Sequence, residues 1–135
     1  MIPNSIITKK PLKIAVAGSR SCTDAFLVFE YLAIFSTSWE VEERPNEITL
    51  EIVSGGAKGP DTFAEKFALI NQIPTKIFLP DWDKHGKSAG FIRNKQIVDY
   101  SDMVIAFWDR KSKGTKSTID LAIKQGKPVY IIPTE

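Results

Sequence analysis

Residues 52–68 read IVSGGAKGPDTFAEKFA, and their reading decides the fold. An apolar run ends at Ser54. Six residues, Gly55 to Pro60, three of them glycine, then turn the chain, and the last of them, Pro60, opens an alternation of apolar and polar residues with helical period. Proline suits the first helical position, where its missing N–H costs nothing. A uniformly apolar run that leaves through glycine into a helix is the signature of a buried parallel strand followed by its crossover.

The same unit repeats outward in both directions. Residues 12–17 (LKIAVA) make an apolar run ending at Gly18, and Thr23 or Asp24 can cap a helix to about Ser36 that is apolar nearly all round. The acidic stretch 38–47 (SWEVEERPNE), with Pro45, is expected to be a solvated loop. Strands are expected at 48–53, 75–79, 103–107 and 128–132, and helices at 60–71, 88–99 and 114–125. Gly126 stands where a helix C-cap favours positive φ. Five strands alternating with four helices predict a single-domain, three-layer α/β fold: a parallel sheet with helices on both faces, over residues 12–135. Residues 1–11 are expected to be a flexible arm.

Composition narrows the function classes. The chain has 135 residues, 43% hydrophobic, with a formal charge of +2. That balance permits an anionic ligand but argues against nucleic acid as a partner, since gripping DNA by charge calls for a stronger basic excess. Cys22 is the one cysteine and His85 the one histidine, which leaves no disulfide and no zinc site of the usual kinds. No cofactor or metal is implied. No apolar run approaches the ~20 residues that span a bilayer, and the N-terminus lacks a signal-peptide pattern, so a cytoplasmic protein without membrane contact is expected.

In an open parallel sheet, ligands bind beyond the carboxyl ends of the strands, where strand order reverses. The loops leaving the strands concentrate glycine, hydroxyl, arginine and tryptophan: GSRSCTD (18–24), SGGAKGPD (54–61), PDWDKHGKSAG (80–90) and WDRKSKGT (108–115). Gly18, Ser19 and Arg20 form a candidate phosphate turn, because the guanidinium fork matches phosphate oxygens. Gly55, Gly56 and Gly59 either expose backbone N–H groups to an anion or simply make a tight turn. Asp61, on the first helical turn, could accept hydrogen bonds from ribose hydroxyls or serve only as a helix-start carboxylate. Arg93 and Asn94 lie on the third expected helix. Gly114 and Thr115 open the fourth, as an anion pocket or with Thr115 as an N-cap. Trp82 and Trp108 follow strand ends, where an indole could stack on a base or seal the rim. GKS at 86–88 is not a P-loop, since Asp81 stands where that motif needs glycine, and no GxGxxG follows the first strand.

AVAGSRS, VSGGAKGPDTFAEKFA, PDWDKHGKSAGFIRNKQIVDYSDMVIAFWD and KGTKSTIDLAIKQGKPVYII together resemble the YspA-like branch of the SLOG superfamily, which also holds DprA/Smf proteins and LOG-type phosphoribohydrolases. The resemblance covers about 13–132. It implies a Rossmann-like sheet ordered 3-2-1-4-5, a site between the first and fourth strands, and a nucleotide or nucleotide-derived ligand. Arg93 corresponds to the LOG active-site arginine, so Arg93 and Asp61 are the candidate catalytic pair. LOG enzymes carry PGGxGTxxE; here Gly114 and Thr115 match, but Lys116, Ser117 and Thr118 follow and the glutamate is absent. A ligand sensor or sequestering module is the leading reading. An N-glycosidic hydrolase and a DprA-like binder of single-stranded DNA are the alternatives, and LOG-type relatives imply a homodimer.

Overall fold

Strands β1 (Leu12–Gly18) and β4 (Met103–Trp108) lie side by side at the centre of the sheet in the computed structural model, which describes residues 11–42 and 50–135. β2 (Leu50–Ser54) and β3 (Thr75–Ile77) extend the sheet on one side and β5 (Val129–Pro133) on the other. All pairings are parallel and the order is β3-β2-β1-β4-β5, the order the resemblance implies.

Side chains alternate across a strand, and the two cores follow that alternation. Ile14, Val16, Ile52, Ile105 and Phe107 face helices α1 (Ala25–Glu42) and α2 (Pro60–Ile70), packing on Val28, Leu32, Ala64 and Phe67. Ala15, Val53, Val104 and Ala106 face α4 (Ala89–Tyr100) and α5 (Lys113–Lys124), packing on Ile97, Val98, Ile119 and Ala122. Apart from Lys13 near the start of β1, the central strands β1 and β4 are apolar because both of their faces are covered. α1 reaches across to the β4–β5 side, where Tyr31 meets Phe107 edge-on and Phe35 meets Tyr130.

Several boundaries depart from the sequence reading. α1 runs to Glu42 rather than to about Ser36; the first proline after it is Pro45, and nothing earlier breaks a helix. The expected loop at 38–47 is therefore helical through 42, while 43–49 and the expected arm at 1–10 lie outside the described residues. β3 stops at Ile77, not 79, because its one neighbour β2 ends at Ser54, in register with Ile77. The segment expected to be a loop at 80–87 contains a short helix α3 (Trp82–His85), capped by Asp81 Oδ1 accepting from Lys84 N–H at 3.0 Å, and then a 3-10 turn (Gly86–Ser88). Among the described residues no helix is long and apolar enough to cross a membrane.

Candidate functional site

β1 hands the chain to α1 on one face and β4 hands it to α5 on the other, so the loops after these two strands diverge and open a crevice. A cleft of about 700 Å³ occupies it. Gly18, Ser19, Arg20 and Asp61 line one side, and Trp82, Phe91, Arg93, Asn94, Lys113, Gly114 and Thr115 the other.

The two loops at the switch point are stitched together by short polar side chains. Ser19 N–H donates to the Phe107 carbonyl at 3.0 Å, and Ser19 Oγ accepts from the Asp109 amide at 3.1 Å. Asp109 Oδ1 accepts from the Lys111 and Ser112 amides, both at 2.8 Å, while Oδ2 accepts from Ser21 Oγ at 3.1 Å. Those amide donors, ahead of other causes, hold the Asp109 carboxyl down at about 2. Ser19 is buried and acts as a brace, whereas Arg20 stands exposed at the lip.

The glycine loop turns its amides inward. Gly55 N–H and Ala57 N–H both donate to Asp61 Oδ2, at 3.0 and 3.3 Å, and Gly56 N–H donates to Ser54 Oγ at 3.0 Å. These groups are thus engaged within the protein, and the loop is built as a tight turn. Gly56 and Gly59 adopt φ of 71° and 93°, the left-handed region that favours glycine. Gly55 answers a different need: a Cβ there would sit 2.7 Å from Arg93 Nη1. Its bare backbone seats the Arg93 guanidinium, whose Nη1 donates to the Gly55 carbonyl at 2.6 Å and whose Nε donates to Asn94 Oδ1 at 3.0 Å. Burial raises the Asp61 carboxyl to about 6, against the opposing pull of its two amide donors and of Arg93. Burial likewise lowers the pKa of Arg93, with Asp61 working against that and Arg20 adding to it. Arg20, Asp61 and Arg93 are therefore electrostatic neighbours at the cleft.

On the α5 side the cap is Ser112, not Thr115: Ser112 Oγ accepts from Thr115 N–H at 3.3 Å, and Thr115 is buried with its Oγ1 3.0 Å from Ser112 Oγ. Asn94 Nδ2 and Thr118 Oγ1 both donate to the Gly114 carbonyl at 3.3 Å, tying α4 to α5. The two tryptophans separate. Trp82 lines the cleft and is 55% exposed, whereas Trp108 is half-buried with Nε1 donating to the Ser112 carbonyl at 3.0 Å, and it does not line the cleft. Sequence reasoning missed Phe91, 56% exposed on the cleft wall, and Lys111 and Lys113 beside it. Nothing in the sequence signals Phe91: it stands three residues before Asn94 and seven before Val98, at the spacing of the stripe that α4 buries, and so looks like core. Among the described residues no cluster of His, Cys, Asp or Glu could hold a metal ion.

A family model described as YspA, cpYpsA-related SLOG family matches residues 12–85, more than half of the chain. The chain belongs to this SLOG family. The Gene 61 protein of Mycobacterium phage D29 is 33% identical over 124 residues, which cover 87% of this chain and 93% of the phage protein. Among solved structures, DNA processing protein A from Helicobacter pylori, described in its single-stranded DNA binding mode, superposes with a TM-score of 0.66 at 26% identity over 93% of this chain. DprA from Streptococcus pneumoniae superposes with 0.68, also at 26% identity, over 92%. This SLOG chain spans 66% and 51% of the two DprA chains. The inference from net charge that nucleic acid is a poor partner is corrected here, because the Helicobacter protein, on which this chain superposes over 66% of its length, binds single-stranded DNA. The physical reason is local: Arg20, Arg93, Lys111 and Lys113 gather at one cleft, whatever the whole-chain sum.

Proposed function

We propose that the cleft binds single-stranded nucleic acid, one nucleotide seated deeply, with a backbone phosphate between Arg20 and Arg93 and a base against Trp82 and Phe91. The carrying observation is the pairing of two guanidinium groups with two aromatic rings, each ring more than half exposed, in one crevice at the switch point. Cationic grooves that track a backbone beside stacking platforms are how proteins hold single strands without reading sequence, at about 1–3 kcal/mol per stacked base. Arg20 has no carboxylate partner among the described residues, and Arg93, which lines the cleft, spends Nη1 and Nε on the protein and leaves Nη2 without a hydrogen-bond partner among the described residues. The DprA likeness supports the same ligand class. The cleft volume favours a second reading, a free nucleotide, since about 700 Å³ lies within the range of small-molecule sites.

Fluorescence anisotropy with labelled oligothymidylate, titrated at about 50 and 200 mM salt, tests this. Binding should weaken with salt at a logarithmic slope of about −0.7 per phosphate contacted, and Arg20→Ala should reduce affinity at least tenfold. Absence of oligonucleotide binding alongside a thermal shift with nucleoside monophosphates would transfer the site to the second reading. Absence of both would remove the nucleotide assignment.

A further inference from the structure

The cleft is open on its α5 side. Past Phe91, Lys113 and Ser117, which line both spaces, it runs on into a second groove of about 340 Å³ along the outer faces of α4 and α5. Lys116, Asp120, Leu121 and Lys124 complete that groove. Residues 113, 117, 120–121 and 124 recur at helical spacing, so they form one stripe along α5. The stripe is about 16 Å long at 1.5 Å per residue, room for roughly five stacked nucleotides at about 3.4 Å each. We infer that this groove is an exit track along which a single strand leaves the cleft, its bases passing over Phe91 and Leu121 and its phosphates over the lysines.

The inference rests on the nucleic-acid reading of the cleft and adds to it a direction and a length. Two observations favour a polyanion over an apolar occupant. Three lysines face one carboxylate in the groove, and neither Lys113 nor Lys124 has a carboxylate partner among the described residues. The third, Lys116, contacts Asp120 at 2.8 Å, but both side chains stay more than half exposed, so water screens the pair and a phosphate can compete for the cation. Continuity with the cleft supplies the rest. Phe91 stands at the junction with more than half of its surface in solvent, where a base leaving the cleft must pass it.

The test uses the full chain with an oligothymidylate trinucleotide and dodecanucleotide, against wild type and the double variant Lys116→Ala, Lys124→Ala. Once affinity is divided by the number of trinucleotide registers each strand offers, wild type should bind the longer strand at least fivefold more tightly than the shorter. The double variant should bind the trinucleotide as wild type does, lose most of the gain on the dodecanucleotide, and show a salt slope shallower by about 1.4, two contacts at 0.7 each. Trinucleotide binding with no gain on lengthening, or a gain the variant keeps, overturns the track and leaves the cleft assignment standing. An acidic peptide of similar length that competes as well as the dodecanucleotide overturns the track's assignment to nucleic acid. No binding of either strand by wild type removes the cleft reading and the track with it. Circular dichroism melts of both proteins check that the exposed substitutions leave the fold intact.

Discussion

Replacing Asp61 by asparagine should make the protein more stable at neutral pH. The carboxyl is buried beneath the glycine loop, and burial, the largest influence on it, raises its pKa from 3.8 to about 6. Between those values the folded state holds a proton that the unfolded chain has released. Stability is therefore fully present below about pH 3.8 and declines as pH rises toward 6, above which the whole penalty applies. At 1.36 kcal/mol per pH unit the penalty is about 3 kcal/mol. Asparagine removes it. Its side-chain oxygen can still accept from the Gly55 and Ala57 amides, while its NH₂ group needs a partner of its own and the attraction to Arg93 is lost. A net gain of about 1–2 kcal/mol at pH 7.5 follows, a melting temperature higher by roughly 4–8 °C.

The assay is a pair of urea or thermal unfolding curves for wild type and Asp61→Asn at pH 4, 5, 6 and 7.5. The difference between the two proteins cancels every titration they share. It should be largest at pH 7.5 and shrink progressively as pH falls, approaching its minimum near pH 4. A variant less stable than wild type by 1 kcal/mol or more at pH 7.5, with the deficit narrowing in acid, would refute the reasoning. That outcome would mean that Arg93 and the two amides more than repay the burial of the charge.

Other substitutions separate scaffold from site. Gly18→Ala should cost about 1–3 kcal/mol, because its Cβ would lie 2.6 Å from Pro60 Cβ and 3.0 Å from the Phe107 carbonyl, neither of which is the free end of a flexible chain; a melting temperature within 2 °C of wild type would contradict the packing described. Gly55→Ala instead meets the Arg93 guanidinium, which can swing away, so oligonucleotide affinity should fall about tenfold while the melting temperature changes less than for Gly18→Ala. Arg93→Lys keeps the charge but loses the planar fork, and should likewise weaken binding about tenfold in anisotropy titrations; affinity equal to wild type would show that Arg93 acts only as a point charge.

The layered fold was legible because its signal is redundant. Ile14, Val16, Ile105 and Phe107 announce buried strands on their own, and each glycine exit repeats the message. The limits of elements were less legible because neighbours set them. β3 ends where β2 runs out of partners, and no residue near Ile77 records that. The glycine loop shows a third case. Three glycines before Asp61 look alike whether the amides face a ligand or the carboxylate itself, since sequence gives proximity without direction; the bonds to Oδ2 resolve it toward the turn. Gly55 was singled out, yet its partner Arg93 is 38 residues away and enters through α4.

Charge was the least transferable clue, for a reason that bears on how the site would work. Glu40, Glu42, Glu43 and Glu47 crowd into eight residues of sequence and cancel lysines and arginines elsewhere in the sum of +2. A bound phosphate does not sense that sum. With a Debye length of about 8–10 Å at ordinary ionic strength, it responds to the groups around the cleft: Arg20, Arg93, Lys111 and Lys113 against Asp61 and Asp109. Those carboxylates do not compete equally for the cations. Both are ionised at neutral pH, but Asp109 aims one oxygen at two backbone amides and the other at Ser21, and Asp61 gives Oδ2 to the Gly55 and Ala57 amides. The loops thus absorb much of the cleft's negative charge as internal hydrogen bonds and leave Arg20 exposed at the lip, with Lys111 and Lys113 beside the opening. A near-neutral chain can in this way present a cationic crevice.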